Sequence, residues 1–503
     1  MEESFSQTAA GIERLAGSGD ARAESILEAL LSGDLLLSKQ HQTLVYARPE
    51  NDAFAIRSAL TGEDLGVVGK RKLKKIAINN SMRAALKSAL DRMRLTHPDP
   101  KVRVAAINKM LSTITLESKA AWAGLLAAET DPEVKEALTT AVAVAVLRGG
   151  QALPKATRLD AIKQMSGNLN PAVRNELIPL AGKEPDADVR AAAKTVLDGI
   201  ETRIAVLGFF ETFFFGLSLG SVLVLAAIGL SITFGVIGVI NMAHGELIML
   251  GAYTTYVLQQ LMPNAIGSAL FLSIPLAFVV SGLAGIIIER TIIRFLYGRP
   301  LETLLATFGI SLILQQAVRS VFSPLNRSVA TPAWMSGSIH LNAVLSLTTN
   351  RVVILVFSLI VFAGLTLLLK KSAIGLQVRA VSQNRPMARA MGVRAARVDA
   401  LTFGLGSGIA GIAGVALSQL TNVGPNLGQA YIVDAFMVVV FGGVGNLWGT
   451  LLGGLTLGVT NKFLEPWTGA VMAKILILVF IIIFIQKRPQ GLFPQKGRAA
   501  TGG

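Results

Sequence analysis

The sequence predicts an all-α protein in which a soluble HEAT-like α-solenoid precedes a polytopic membrane helix bundle of about eight or nine spans. Two observations lead to this prediction. Apolar runs of about 20 residues, the length that a bilayer-spanning helix needs, follow one another from Val206 onward. In the residues before them, a motif typical of helix N-termini occurs four times. The predicted boundary gives a soluble helical-repeat domain, residues 1–203, and a membrane domain, residues 204–503.

The repeated motif predicts where helices of the soluble domain begin. It occurs as Asp99-Pro-Lys-Val, Asp131-Pro-Glu-Val, Asn170-Pro-Ala-Val and Asp186-Ala-Asp-Val. Asp and Asn are favoured helix N-caps, and Pro suits the first helical position. Repeated helix starts favour stacked helical pairs, as in an α-solenoid. The spacings of 32, 39 and 16 residues are irregular, so an ordinary helical bundle is the alternative.

The membrane spans are predicted from hydropathy. Seven apolar segments are long enough to cross a bilayer, namely 209–234, 243–261, 268–288, 302–322, 352–369, 399–421 and 469–486. Residues 433–464 supply one or two further spans. Small residues four apart along several of these segments favour close helix packing. We therefore expect a tightly packed bundle in the lipid bilayer.

Charge distribution predicts how the chain is oriented. Residues 205–503 hold 19 Lys and Arg but 7 Asp and Glu, and the basic residues cluster at 290–299, 370–397 and 487–498. The positive-inside rule makes these clusters and the C-terminus cytoplasmic, which puts the soluble domain on the opposite, extracytoplasmic side. The first residues lack the features of a signal peptide, so either the signal lies outside this sequence, which we favour, or the predicted number of spans is off by one. A nucleic-acid surface would need aromatic residues among the basic ones, and we expect no nucleic-acid partner.

Three polar residues occur within six positions of an apolar region. Asn241, His244 and Glu246 are flanked by glycines, and polar groups at membrane depth are costly unless they face protein or a water-filled path. They are candidates for a translocation path, or for a structural hydrogen-bond network that holds a broken helix together. On one helix His244 and Glu246 would point in different directions, which disfavours a catalytic pair. We predict no catalytic residue in this chain.

Metal and nucleotide sites are not predicted either. The chain has no cysteine, which excludes disulfides and thiolate metal sites. It contains neither a His-Glu-x-x-His motif nor a glycine-rich loop ending in Gly-Lys-Ser/Thr. We therefore expect no metal and no cofactor in this chain, and no ATP hydrolysis by the chain itself.

A basic segment, residues 370–397, lies between two predicted spans. It has helix-forming stretches on both sides of Asn384-Arg-Pro386, and Gly392 is placed as a helix stop. A helix, a turn and a second helix on the cytoplasmic side would form a surface for a partner. The alternative is a basic loop that only fixes the topology.

A glycine-rich segment interrupts residues 433–464. The run Gly442-Gly443-Val-Gly445-Asn446 has too much glycine for a stable helix and predicts a break or tight turn. Asp434, shortly before it, is interpreted as an interfacial carboxylate, with a role in the path as the alternative.

Taken together, these motifs resemble the integral membrane permease of the branched-chain amino acid/urea group of ABC importers. The resemblance covers roughly residues 209–494 and rests on four segments: 230–246, 375–392, 441–449 and 488–493. It implies that residues 370–397 are the loop that couples the permease to a cytoplasmic ATPase, with Gly375, Arg379, Ala388 and Gly392 as its characteristic residues. It also implies a second permease subunit, two ATPase subunits and an extracytoplasmic substrate-binding protein.

The long soluble extension narrows this resemblance. It is similar to the extension of one of the two urea permease subunits. The implied function is a non-enzymatic, multi-pass permease of a urea importer in the bacterial inner membrane. A permease for branched-chain or other small amino acids is the alternative.

Overall fold

The computed structural model describes residues 5–20, 22–50, 53–342 and 344–493. These residues divide into two compact units, residues 1–204 and 205–503. Each unit has its own apolar core, and they are described in turn.

The first unit combines helices with a sheet. Its helices are α1 (Phe5–Ala16), α2 (Ala23–Ser32), α3 (Asn80–Arg94), α4 (Pro100–Met110), α5 (Lys119–Ala128), α6 (Pro132–Arg148), α7 (Lys155–Gln164), α8 (Pro171–Lys183) and the first part of α9 (Ala187–Ile237). Five antiparallel strands form a sheet in the order β4-β3-β2-β1-β5, namely β1 (Leu35–Ser38), β2 (Thr43–Glu50), β3 (Ala53–Ser58), β4 (Asp64–Val68) and β5 (Leu73–Lys75).

The sheet makes the all-α prediction wrong for this unit. Along β2, Leu44 and Tyr46 pack against one apolar cluster and Val45 and Ala47 against another. This alternation has the two-residue period of a strand and not the period of a helix. An Ala- and Leu-rich composition averaged over the whole region concealed it. The arrangement does not establish the predicted HEAT-like solenoid.

The predicted helix starts of the first unit are confirmed. The side chain of Asp99 accepts the backbone N–H of Lys101 at 2.9 Å, and Asp131 accepts that of Glu133 at 2.9 Å. Asn170 and Asp186 cap α8 and α9 in the same way. Each cap satisfies a backbone donor that the first helical turn leaves without an intrahelical partner. The helices that follow pack around the largely buried α6.

The second unit is a bundle of helices. It contains the rest of α9, then α10 (His244–Leu261), α11 (Ile266–Thr291), α12 (Pro300–Phe322), α13 (Thr349–Lys371), α14 (Ala373–Gln383), α15 (Arg385–Ala390), α16 (Ala395–Ser418), α17 (Leu427–Gly442), α18 (Leu447–Thr468) and α19 (Ala470–Lys487). A two-stranded ribbon, β6 (Ser338–His340) with β7 (Ser346–Thr348), precedes α13.

Six helices of the described chain have the length and hydropathy of a membrane span: α9, α11, α12, α13, α16 and α19. Helix α10 occupies the predicted span 243–261, and α17 and α18 occupy residues 433–464 as two helices. Helix α17 is apolar but has only 16 residues. The predicted bundle of apolar helices is therefore present, but six of the described helices, and not eight or nine, have the length and hydropathy of a span.

Glycines allow the helix backbones of the bundle to touch. A Cβ atom at Gly251 of α10 would overlap the backbone of Gly411 on α16. The same holds for Gly229 of α9 against Gly406 of α16. Since these pairs lie within helices, the requirement comes from close backbone approach and not from an unusual φ angle. They fix α16 between α9 and α10, directly beside the predicted polar residues.

Candidate functional site

A break between α9 and α10 positions the predicted polar residues. Helix α9 ends at Ile237, Gly238 has a φ of +75°, and α10 begins at His244. The Asn241 side chain accepts the backbone N–H of Ala243 at 3.0 Å. The Thr307 hydroxyl of α12 accepts the backbone N–H of Met242 at 3.1 Å. The break is thus held from within and from a neighbouring helix.

His244 and Glu246 diverge from this break. His244 is fully buried, and its Nε2 lies 2.9 Å from the carbonyl oxygen of Ala226 on α9. Glu246 is also fully buried but faces α12, where its Oε1 accepts hydrogen bonds from Ser311 Oγ at 3.0 Å and Gln315 Nε2 at 2.8 Å. The two side chains therefore connect α10 to different helices and do not form a pair.

The partners of Glu246 belong to a polar stripe on α12 that the sequence analysis missed. Thr303, Thr307, Ser311 and Gln315 recur every four residues along an otherwise apolar helix, and all four are buried. Residues four apart share one helix face. This spacing was visible in the sequence and could have identified α12 as the helix that faces the polar cluster.

Each predicted polar residue keeps one side-chain atom without a hydrogen-bond partner among the described residues. These atoms are Asn241 Nδ2, His244 Nδ1 and Glu246 Oε2, and all are buried. Most buried polar atoms in proteins are hydrogen-bonded, so each exception calls for an explanation. An amide donor, a carboxyl oxygen and an imidazole nitrogen can each accept or donate one further hydrogen bond, to water or to a polar solute. They offer no nucleophile with an adjacent base.

The basic segment 370–397 forms the predicted helix–turn–helix. Ser372 caps α14 by accepting the backbone N–H of Gly375 at 3.0 Å, and a Cβ atom at Gly375 would overlap the carbonyl of Leu369. Arg379 donates to that same carbonyl. Ala388 lies in a small apolar cluster beneath α14 and α15, and Gly392 follows α15 with a φ of +86°. The turn after α13 is therefore too tight for any residue larger than glycine.

The glycine-rich run separates α17 from α18. Helix α17 ends at Gly442, and Gly443 and Gly445 have φ values of +106° and +77°, which L-residues with side chains rarely adopt. Asn446 then caps α18 by accepting the backbone N–H of Gly449 at 3.1 Å.

Comparison with known proteins assigns these features to one family. The sequence profile of a family described as the permease component of branched-chain amino acid transport systems matches residues 212–485. The chain belongs to this permease family. The match begins after the first unit and covers the polar cluster, the helix–turn–helix and the glycine-rich run.

Individual relatives agree with this assignment. The permease is 32% identical over 297 residues to the high-affinity branched-chain amino acid transport system permease protein LivH of Salmonella typhimurium, covering 57% of this chain and 96% of that protein. It is 31% identical over 288 residues to BraD of Pseudomonas aeruginosa, covering 55% and 93%. The ribose import permease RbsC of Haemophilus influenzae is 26% identical over 39% of this chain and 61% of its own length. No solved structure matches the chain significantly.

The helix–turn–helix of the permease is tied to the bundle through Arg385. Its guanidinium pairs with the carboxylate of Asp399, whose side chain is fully buried at the start of α16. It also lies 4.7 Å from the ring centroid of Tyr297, in the connection between α11 and α12. Tyr297 in turn donates to Glu289 Oε1 at 2.6 Å. Burial raises the pKa of Tyr297, so its hydroxyl keeps the proton that it donates. Arg385 thereby links α15, α16 and the α11–α12 connection.

Residues 492 and 493 of the permease are hydrogen-bonded to the residues around its glycine-rich run. The backbone N–H groups of Leu492 and Phe493 donate to the carbonyls of Phe441 and Gly442 at 2.9 and 3.1 Å. Asn446 Nδ2 donates to the carbonyl of Phe493 at 3.2 Å. These bonds satisfy carbonyls at the end of α17, which has no further helical turn to do so.

No group of three or more His, Cys, Asp or Glu side chains that could hold a metal ion occurs in the part of the chain that the structure describes.

Proposed function

We propose that this chain is one of two permease subunits of an ABC importer that carries branched-chain or other small amino acids across the bacterial inner membrane. The observation that carries the proposal is the match to LivH, which extends over 96% of that protein at 32% identity. The second permease forms the path together with this chain. Two cytoplasmic ATPase subunits supply the energy, and an extracytoplasmic binding protein delivers the substrate.

The surface of α14 and α15 supports the proposed contact with an ATPase. Leu376, Met387 and Met391 are exposed there, with 60% or more of each residue accessible. Clustered apolar side chains among basic residues are typical of a protein interaction site. Arg385 contacts Asp399 of α16 and Tyr297 of the α11–α12 connection. A movement of α14 and α15 would therefore be transmitted to both.

A second candidate substrate is urea. It is favoured by residues 1–204, which form a separate compact unit outside the family match and which resemble the extension of a urea permease subunit. The relatives LivH and BraD are described as permeases for branched-chain amino acids, which favours an amino acid as the substrate. Urea offers N–H donors that Glu246 Oε2 can accept and a carbonyl oxygen to which Asn241 Nδ2 can donate, so these unpartnered atoms suit it chemically as well.

Uptake assays distinguish the two substrates. A strain lacking this permease is tested for uptake of radiolabelled leucine, isoleucine, valine and urea, with and without a plasmid that restores the gene. Loss and restoration of amino acid uptake alone supports the first proposal. Loss and restoration of urea uptake alone supports the second. If all four uptake rates are the same in both strains, neither is correct.

The sidedness of the chain is also a proposal. The basic segments at 290–299, 370–397 and 487–498 are assigned to the cytoplasm, and residues 1–204 to the periplasm. Protease added to intact spheroplasts should then cleave residues 1–204 and spare 370–397. The reverse pattern contradicts this orientation.

A further inference from the structure

A cavity of about 250 Å3 lies among α9, α17, α18 and α19, apart from the polar cluster at Asn241. This volume is slightly below the range of roughly 300–1,000 Å3 that is common for small-molecule pockets. Much of its wall is aliphatic, formed by Leu219, Leu223, Met437, Leu457 and Ile477. A ligand that fills it must therefore be small and partly apolar.

Two ion pairs line the same cavity. Asp434 Oδ2 of α17 lies 2.7 Å from Lys474 Nζ of α19, and Lys462 Nζ lies 2.6 Å from Glu465 Oε2 on α18. Lys474 retains 49% of its side-chain exposure, whereas Asp434 retains 12%. Helix α19 is otherwise strongly apolar. Lys474 is the fifth residue of α19, and a lysine near the end of an apolar helix turns its ammonium toward polar surroundings, which here include the carboxylate of Asp434 and the cavity.

We propose that this cavity binds the zwitterion of a branched-chain amino acid during transport. The substrate ammonium pairs with Asp434, the substrate carboxylate pairs with Lys474, and the aliphatic side chain lies on the apolar wall. This inference rests on the proposed amino acid transport and deepens it by assigning a specificity-determining site within the permease.

The chemistry of the cavity favours a zwitterion over a neutral solute. A substrate with both charges can separate Asp434 from Lys474 and replace one ion pair by two. Urea has neither charge, so it would leave the ion pair to be broken without compensation. The aliphatic part of the wall matches a branched side chain, which urea lacks.

A contribution to the stability of the fold does not by itself explain why Asp434 and Lys474 are charged. A buried or half-buried pair is often no more stabilising than well-packed apolar residues of similar size. Both members of the pair also line the cavity, where their charges can reach a ligand. A binding role accounts for both features.

The test uses the complete importer in membrane vesicles with its own binding protein. Initial rates of leucine uptake are measured for Asp434→Asn, Lys474→Gln and the charge-exchanged double variant Asp434→Lys/Lys474→Asp. Lys487→Gln, at the last turn of α19 and outside the cavity, is the matched control. Membrane levels of each variant are measured in parallel, so that loss of uptake can be separated from loss of protein.

We expect each single variant to raise the KM for leucine by about ten- to a hundredfold, as for loss of a hydrogen bond to a charged group, while Lys487→Gln leaves it unchanged. Lys474→Gln should also reduce the preference for leucine over leucinamide, which lacks the carboxylate. Because the binding protein is the same in every strain, this change in preference belongs to the permease. The charge-exchanged variant should accumulate but not recover uptake, since its charges are reversed relative to the aliphatic wall.

Full uptake by the charge-exchanged variant would show that only the attraction between the two side chains matters, and would overturn the proposal. Unchanged KM values at normal protein levels in the single variants would also overturn it, while amino acid transport by the wild type would still stand. If the wild type carries urea and no amino acid, the proposed function fails first, and the zwitterion site fails with it.

Discussion

The amide of Gln315 donates a 2.8 Å hydrogen bond to the carboxyl group of Glu246, although the two residues lie 69 positions apart on α12 and α10. Both side chains are buried within a bundle of apolar helices. This bond, together with that from Ser311, makes the polar cluster a connection between helices as well as a candidate lining of the path. Its two roles can be separated by substitution.

Glu246→Ala should lower the amount of permease in the membrane, because Ser311 and Gln315 lose their acceptor and an unsatisfied buried polar group costs about 1–3 kcal/mol. Glu246→Gln keeps an oxygen in the same place and should accumulate normally. Immunoblots of membrane fractions measure both. Equal levels of the two variants would show that these hydrogen bonds do not stabilise the bundle.

Gly251→Ala should destabilise the permease, because the new methyl group would overlap the backbone of Gly411 and overpacking of this kind costs about 1–3 kcal/mol. Gly364→Ala on α13 is the matched control, since no atom lies within 4 Å of its Cβ position. Thermal unfolding of the purified variants should give a lower Tm for the first and no loss for the second. A Tm for Gly251→Ala equal to that of the wild type would contradict the observed backbone contact.

Gly392→Asp should uncouple ATP hydrolysis from uptake, because it adds a negative charge to the basic surface proposed to contact the ATPase. Gly392→Asn is the control, since Asn also tolerates the positive φ of this position but adds no charge. We expect uptake to fall at least about tenfold, equivalent to about 1.4 kcal/mol, for Asp and much less for Asn. Uptake and ATPase activity are measured on the assembled importer. Normal uptake by the Asp variant is incompatible with the coupling assignment.

Arg385→Gln should destabilise the permease by about 3–5 kcal/mol, the usual cost of leaving one partner of a buried ion pair alone. Asp399 is the partner left behind, and its side chain is fully buried. The double variant Arg385→Gln/Asp399→Asn removes both charges and should recover most of the membrane level. A single variant that accumulates as well as the double variant would argue against a charged pair.

Asp186→Asn should weaken the start of α9 at neutral pH but not in acid. A hydrogen bond from Lys155, and then one from the backbone N–H of Val189, lower the pKa of Asp186. A carboxyl whose pKa is lowered by folding stabilises the folded state above its unfolded pKa of about 4, and this contribution is lost as the pH falls through the folded pKa.

Hydrogen-exchange protection factors for the first turns of α9 measure this effect. Protection in the Asp186→Asn variant should be lower than in the wild type at pH 7, and the difference should decrease below about pH 4. Lys155→Met removes the principal cause of the shift while leaving the cap in place, and should show part of the same loss. A difference that is independent of pH would mean that the charge of Asp186 contributes nothing.

The sequence was informative wherever one residue type determines local geometry. Asp99 and Asp131 could be recognised as caps because few residues suit that position, and Gly443 stands where the backbone needs a positive φ. The sheet at 35–75 was missed because the Ala- and Leu-rich composition of the whole region concealed the two-residue alternation of its strands. The bond between Glu246 and Gln315, like the ion pair of Arg385 with Asp399, depends on which helices become neighbours. Hydropathy does not determine that arrangement.

The contact of residues 488–493 with the glycine-rich run has a consequence for biogenesis. The carbonyls of Phe441 and Gly442 receive their hydrogen bonds from Leu492 and Phe493, which are synthesised about 50 residues later. During translation these two hydrogen bonds can therefore form only after α19 has been synthesised. Completion of this turn is a late step in the maturation of the membrane unit.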